Sequence, residues 1–121
     1  MSVILCTGAV QPLVETRKLM LESAGHTVIT ATSSKAIVTA CQGHSPDVVV
    51  IGQESSSREK RRVFGLIRKQ YPRARIIEIY ALELGKILEE ADDWLAIPKQ
   101  APTDLIELID ARAKRRSHSA G

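Results

Sequence analysis

The chain has 121 residues, of which 44% are hydrophobic and 26% are charged, and its formal net charge is +3. That length and balance are typical of one globular domain with a buried core, and they exclude a disordered chain. No segment approaches the roughly 20 apolar residues that a membrane-spanning helix needs, and the N-terminal apolar run is too short for a signal peptide. Cys6 and Cys41 lie in apolar patterns without metal-ligand spacing around them. We therefore expect a reduced, cytoplasmic protein, and the mild positive charge does not by itself indicate a nucleic-acid partner.

Short apolar runs alternate with amphipathic segments along the chain. The segment "DVVVI" (47–51) has four consecutive apolar residues, which is typical of a central parallel strand buried on both faces. Strands are predicted, in chain order, at 3–7, 27–31, 47–51, 75–80 and 94–97. Helices are predicted at 12–24, from Ser33 or Ser34 to Gly43, at 58–70, at 83–91 with an interruption at Gly85, and at 102–116.

The first and last helices have clear boundary signals. Pro12 is placed to open the first helix, and Gly25 is placed to end it in a left-handed cap. The first helix is indicated by the three- and four-residue spacing of Leu13, Arg17, Met20 and Ala24. In the last helix, the residues predicted to face inward are Leu105, Ile106, Leu108, Ile109 and Ala113.

Alternation of five strands with five helices implies a parallel sheet that is covered by helices on both faces. Right-handed crossovers favour a flavodoxin-like, doubly wound α/β sandwich with strand order 2-1-3-4-5. One domain is predicted at 1–115, followed by a frayed basic tail at 116–121. In such sheets ligands bind beyond the carboxyl ends of the strands where the order reverses, here between strands one and three.

Three segments, taken in order, resemble the receiver domain, the phospho-acceptor module of bacterial two-component response regulators. "LESAGHTVITA" (21–31) is similar to the end of the family's first helix and its second strand. "SPDVVVIG" (45–52) is similar to the third strand, and "EADDWLAIPKQAPTDLIELI" (90–109) to the fifth strand, the Lys-Pro step and the last helix. The resemblance runs from about Val3 to about Asp110, and it implies the same fold and a role in phosphorelay-type signal transduction.

The residues that perform phosphorylation in the family do not carry over. The family holds Mg²⁺, a cation that requires oxygen ligands, between an acidic pair after the first strand and an aspartate after the third. By the resemblance, the acidic pair falls on Gly8 and Ala9, and the phospho-acceptor falls on Gly52. The family's hydroxyl residue at the end of the fourth strand falls on Tyr80, and its lysine before the proline falls on Ile97. Glu54 and Lys99 could each bring a charge back towards this pocket, but one carboxylate and one ammonium do not make a Mg²⁺ site. We therefore predict a degenerate pseudo-receiver without metal, cofactor or catalytic residues, and not an enzyme.

Some residues allow two interpretations. Gly8 and Gly52 either permit tight turns or leave space for a backbone or small ligand, and the first interpretation is favoured. Tyr80 is either a half-buried aromatic residue or a plug for the vacated pocket. Trp94 either covers the edge of the sheet or contributes to an interface. Glu78, surrounded by isoleucines, needs a cationic partner, and Arg75 or Lys99 is expected.

The preferred function is phosphorylation-independent protein–protein interaction, with a partner protein or as a homodimer, since mixed charges suit a self-complementary interface. The expected face is formed by the fourth helix, fifth strand and fifth helix, and carries Glu83, Glu89, Glu90, Asp92, Asp93 and Trp94. Two alternatives stay open. One is a nucleic-acid-associated regulator that uses the basic segment 58–75 and the basic tail, although few aromatic residues are present for stacking. The other is a small-molecule sensor that uses the emptied pocket.

Overall fold

The computed structural model describes residues 2–97 and 105–111. The strands are β1 (Val3–Thr7), β2 (Thr27–Ala31), β3 (Val48–Ile51), β4 (Arg75–Ala81) and β5 (Asp93–Ile97). The helices are α1 (Gln11–Ser23), α2 (Ile37–Cys41), which follows a 3-10 turn at Ser34–Ala36, and α3 (Ser57–Gln70). Residues 105–111 are also helical and are termed the C-terminal helix. Within the described ranges, no helix is both long enough and apolar enough to span a bilayer.

The five strands form one parallel sheet in the order β2-β1-β3-β4-β5, which confirms the predicted topology. Cys6 in β1 pairs with Thr30 of β2 on one side and with Val50 of β3 on the other. Every residue of β3 is buried, as expected for a strand covered on both faces. The order of the strands reverses between β1 and β3, so the carboxyl ends of these two strands form the switch point.

Two apolar cores lie on opposite faces of the sheet, because alternate residues of each strand point to opposite sides. One core joins Leu5, Val49 and Ile76 of the sheet to buried residues of α2 and α3. The other joins Ile4, Val50 and Ile77 to buried residues of α1 and of the C-terminal helix. The helical residues are Ile37, Cys41, Val63 and Ile67 in the first core, and Val14, Leu21, Leu105 and Ile109 in the second. The predicted Ala113 lies outside the described residues.

The buried face of α1 does not coincide with the set of residues whose spacing indicates the helix. Val14 and Leu21 are the buried residues of this helix, whereas Leu13 is 39% exposed. Apolar residues occur at adjacent positions in "PLV" and "LML", so their spacing fits two helical faces, and packing against the sheet selects one of them. The end of the helix is as predicted: Gly25 has φ +97°, and the N–H of His26 donates to the carbonyl of Leu21 at 3.2 Å.

The predicted helix at 83–91 is wrong, because residues 82–92 join β4 to β5 without a helix. The buried carboxylate of Glu78 accepts the backbone N–H of Ile87 at 3.0 Å and that of Leu88 at 2.8 Å. These side-chain bonds use backbone donors that a helix would need for its own bonds. Gly85, at φ +81°, adds a left-handed residue near the start of the segment.

Helix α3 begins one residue before its predicted start. Ser56 caps it by accepting the N–H of Glu59 at 3.1 Å. Val63 and Ile67 face the core, and Gly65 lies on the exposed side in the middle of the helix. A Cβ built at Gly65 would meet nothing within 4 Å, so packing does not require a glycine there.

Replacing Gly65 with alanine should raise the free energy of unfolding by about 0.5–1 kcal/mol, because alanine loses less conformational entropy in a helix. Urea unfolding followed by circular dichroism measures this change. Gly25→Ala is the matched control, and we expect it to destabilise by about 1 kcal/mol because its φ is left-handed. A lower unfolding midpoint for Gly65→Ala would contradict the description of this position as open.

Candidate functional site: a filled pocket at the strand ends

The switch-point pocket lies over Gly8 and Gly52, the residues that directly follow β1 and β3. The N–H of Gly52 donates to the carbonyl of Thr7 at 3.0 Å, which holds the ends of the two strands together. The Thr7 hydroxyl donates to the carbonyl of Val50 at 3.1 Å, so this buried polar side chain is satisfied within the sheet. At the floor of the pocket, the strand ends are thus joined by a backbone hydrogen bond, and the Thr7 side chain has a backbone partner.

The side chain of Glu54 fills the space above both glycines. A Cβ at Gly52 would lie 2.6 Å from Glu54 Oε2 and 2.7 Å from Arg17 Nη1. A Cβ at Gly8 would lie 2.8 Å from Glu54 Cδ and 3.1 Å from Val14 Cγ2. Neither glycine has the left-handed φ that turns often require. The favoured tight-turn interpretation of these residues is therefore replaced by a steric one, in which glycine leaves room for a carboxylate.

An arginine from α1 neutralises that carboxylate. Arg17 Nη1 lies 3.2 Å from Glu54 Oε2 and 3.3 Å from Oε1, and Arg17 Nη2 donates to Gln53 Oε1 at 2.6 Å. The two charged side chains are only 13% and 8% exposed, respectively. A partly buried charge is costly without a partner, so the two side chains are expected to stay together. The pair thereby joins the loop after β3 to α1.

The thiol below the pocket is not a nucleophile at neutral pH. Burial raises the pKa of Cys6 to about 12, and the nearby positive charge of Arg17 only partly offsets that rise. The thiolate is the reactive form of cysteine, so Cys6 behaves as a small core residue. Among residues 2–97 and 105–111, no three His, Cys, Asp or Glu side chains are grouped so that they could hold a metal ion.

The structure brings together only part of the predicted site. Glu54 does return towards the pocket, as suggested from sequence, whereas Lys99 lies outside the described residues. Ala9 is exposed, and Tyr80 and Ile97 are half-buried on β4 and β5. Tyr80 is not among the atoms nearest to the two glycines. Sequence reasoning missed the role of Arg17, although a charged residue at helical spacing with Leu13 and Met20 signals the need for a partner.

A second buried ion pair lies on the face of the sheet that α3 covers, opposite the face that α1 covers. Glu78 is fully buried, and its Oε2 accepts from Lys60 Nζ of α3 at 2.7 Å, which corrects the expected partner of Glu78. Lys60 also donates to the carbonyl of Ile79 at 3.0 Å. Arg75, one of the two expected partners, is instead 2.7 Å from Asp93. The pair joins α3, β4 and the 82–92 segment.

The predicted partner face is altered by the absence of its helix. Asp92 and Asp93 are held by Arg68 at 3.0 Å and Arg75 at 2.7 Å. The indole N–H of Trp94 donates to the carbonyl of Leu88 at 2.9 Å, and Lys86 Nζ lies 4.2 Å from the centre of its ring. The acidic residues of this face that stay exposed without such a pair in the described structure are Glu83, Glu89 and Glu90.

An open groove of about 550 Å³ separates α3 from the 82–92 segment. Arg61 and Phe64 line it on the side of α3, and Glu89 and Glu90 line it on the other side together with Lys86, Ile87 and Leu88. Two residues of the predicted partner face, Glu89 and Glu90, thus form one wall of a groove whose other wall is α3.

Solved structures of receiver domains share this fold. The chemotaxis response regulator CheY4 of Vibrio cholerae matches with a TM-score of 0.75 and 18% identity over 92% of this chain and 98% of that one. A CheY-like response regulator receiver domain protein of Methanospirillum hungatei matches with a TM-score of 0.79 and 18% identity, covering 98% of each chain. A response regulator receiver domain protein of Clostridium thermocellum matches with a TM-score of 0.77 and 25% identity, over 97% of this chain and 98% of that one. No protein-family model and no curated protein matches the sequence. The comparisons establish a CheY-like, flavodoxin-like fold for this chain.

Gly52→Ala should destabilise the protein by about 1–3 kcal/mol, because the added methyl group overlaps Glu54 and Arg17. Glu54→Ala alone should cost roughly 1–3 kcal/mol, because it leaves Arg17 partly buried without its anion. In the Glu54→Ala background, Gly52→Ala should cost less than about 0.5 kcal/mol, because the carboxylate is absent and the flexible end of Arg17, no longer held by it, can move away from the added methyl group. Urea unfolding of the four proteins measures this cycle, and simple additivity of the two costs would show that Glu54 does not fill the space.

Proposed function

We propose that this chain is a receiver-type signalling domain that acts without phosphorylation, as a protein–protein interaction module. The observation that carries the proposal is the Arg17–Glu54 pair over Gly8 and Gly52. The fold supports a role in two-component signalling, and receiver domains in general are signalling modules rather than enzymes. The composition of the pocket supports the narrower claim that phosphate is not the signal.

The residues at the strand ends do not fit Mg²⁺. In a receiver, the metal would be held by carboxylates at the positions that correspond here to Gly8, Ala9 and Gly52, and none of these offers a side-chain oxygen. The carboxylate in the pocket, that of Glu54, already has a guanidinium 3.2 Å away. A divalent cation would need to displace Arg17 and would then find one carboxylate where the family supplies several. The pocket therefore lacks the oxygen ligands that metal-assisted phosphoryl transfer in a receiver requires.

In place of a switch, the pair gives the loop after β3 one fixed position. In a switchable receiver, the phosphoryl group stabilises a second arrangement of the loops at the strand ends, and a ligand shifts a population only if it binds the two states differently. Here an internal carboxylate occupies the same region, and Arg17, which also donates to Gln53, holds it. Recognition then depends on a surface that is formed in the free protein.

The two alternative functions receive less support from the same observations. A small-molecule sensor at the strand ends needs an open pocket, and the side chain of Glu54 lies in that space. A nucleic-acid surface along α3 has Arg58, Arg61 and Arg62 exposed, but the groove beside it also presents Glu89 and Glu90, which repel phosphate.

Incubation of the purified protein with acetyl phosphate and Mg²⁺ should leave the intact mass unchanged, because position 52 has no carboxylate to form an acyl phosphate. Intact-protein mass spectrometry, with a phosphorylatable receiver treated in parallel, measures this. A stoichiometric, Mg²⁺-dependent phosphoryl adduct would overturn the proposed function. An adduct of the same size in Glu54→Ala would show that the modified site is not Glu54.

A further inference from the structure

The exposed side of α3 carries positive charge that the described chain does not neutralise. With about 3.6 residues per turn, Arg58, Arg61 and Arg62 share the side opposite Val63 and Ile67. Arg62 reaches only the partly exposed Glu59, at 3.4 Å, and within residues 2–97 and 105–111 neither Arg58 nor Arg61 forms an ion pair. Like charges three and four residues apart on a helix repel, so this side of α3 lowers the stability of the free domain.

The opposite wall of the groove carries two uncompensated glutamates and one lysine, Lys86, whose ammonium lies over the ring of Trp94. Glu89 and Glu90 are exposed in the turn before β5, and they form no ion pair with the described residues. Their neighbour Asp92 is paired with Arg68 and is therefore already compensated. The groove lies between the arginines of α3 and these glutamates. Arg61 and the two glutamates therefore line one cavity but form no ion pair across it.

We propose that the groove between α3 and residues 82–92 is the interface of a symmetric homodimer of this chain. A twofold axis through the groove brings Arg58 and Arg61 of one copy against Glu89 and Glu90 of the other, and repeats the contact in reverse. An isologous interface has to be self-complementary, and a surface that carries both uncompensated signs on opposite walls meets that condition. Phe64 and Ile87, both half-buried along the groove, supply apolar contact between the charged walls. This inference rests on the proposed function and names its partner as a second copy.

The supporting framework of both walls is rigid. Lys60 and Glu78 join α3 to β4 at 2.7 Å, and Glu78 also accepts the N–H groups of Ile87 and Leu88 on the other wall. The two walls are thus positioned by one buried carboxylate. Because the backbone of both walls is held in place before association, the ordering cost of dimerisation falls mainly on the exposed arginine and glutamate side chains.

Paired charge reversal tests the interface. Arg58→Glu with Arg61→Glu makes one variant acidic on both walls, and Glu89→Lys with Glu90→Lys makes the other basic on both walls. Sedimentation velocity should show a reversible dimer for the wild-type protein and at least about tenfold weaker association for each variant alone. An equimolar mixture of the two variants should dimerise again, because the mixed dimer restores opposite charges at both copies of the contact. Far-ultraviolet circular dichroism and the urea midpoint establish that both variants are folded.

A control variant carries the same charge change away from the groove. Lys18→Glu with Lys35→Glu, on α1 and the 3-10 turn, should dimerise like the wild-type protein. A wild-type protein that stays monomeric at high micromolar concentration both with and without acetyl phosphate and Mg²⁺, or a variant mixture that stays monomeric, would overturn the interface. So would wild-type protein that is monomeric but binds a labelled oligothymidine through Arg58 and Arg61, since α3 would then be a polyanion-binding surface.

The failure of this inference can be separated from the failure of the proposed function. The sedimentation series is repeated after treatment with acetyl phosphate and Mg²⁺. A dimer that forms through the same residues only after this treatment would support the interface and contradict phosphorylation independence. A monomer under both conditions would contradict the interface and leave the mass-spectrometric result as the test of the proposed function.

Discussion

The ion pair between Arg17 and Glu54 occupies the space beyond the carboxyl ends of β1 and β3. A carboxylate and a guanidinium, both largely removed from water, stay together because separating them would leave each charge poorly solvated. Their position requires that no side chain project from Gly8 or Gly52, so the two glycines and the pair depend on one another. A strand that ends in glycine next to a filled pocket is consistent with a receiver fold whose central strands are retained for packing. Burial of β3 on both faces stabilises the sheet whether or not a phosphoryl group is ever bound.

A second buried carboxylate shapes the surface. The carboxylate of Glu78 is fully buried among apolar side chains, where an unpaired charge would be strongly destabilising. Lys60 and two backbone N–H groups compensate this charge. Its bonds to Ile87 and Leu88 hold residues 82–92 in an irregular path instead of a helix. That path brings Glu89 and Glu90 to the edge of a groove whose other wall is α3. One buried charge in the sheet is thereby connected to the arrangement of exposed charges outside it.

The sequence was sufficient for the topology and insufficient for the side-chain partners. The bounds of each strand were predicted to within a residue, and the strand order and the cap at Gly25 were predicted correctly. Apolar runs and glycine caps follow local rules, which a sequence shows directly. The helix predicted at 83–91 failed because Glu78, distant from it in sequence, competes for its backbone donors. The spacing in α1 did not identify its buried face, because adjacent apolar residues fit two faces. Glu54 was expected near the pocket from its short separation from Gly52, whereas its partner Arg17 lies 37 residues away in sequence, beyond the reach of spacing arguments.

The central claim is that the protein's own side chains occupy the region where receivers bind phosphate and metal. The most direct measurement is a two-dimensional ¹H–¹⁵N NMR titration of the wild-type protein with Mg²⁺ and beryllofluoride, a mimic of the phosphoryl group. We expect the amide resonances of Gly8, Gly52 and Glu54 to stay unchanged throughout the titration. Saturable shifts of these resonances, dependent on both Mg²⁺ and beryllofluoride, would show that the pocket opens and binds the phosphoryl mimic, and would contradict the account.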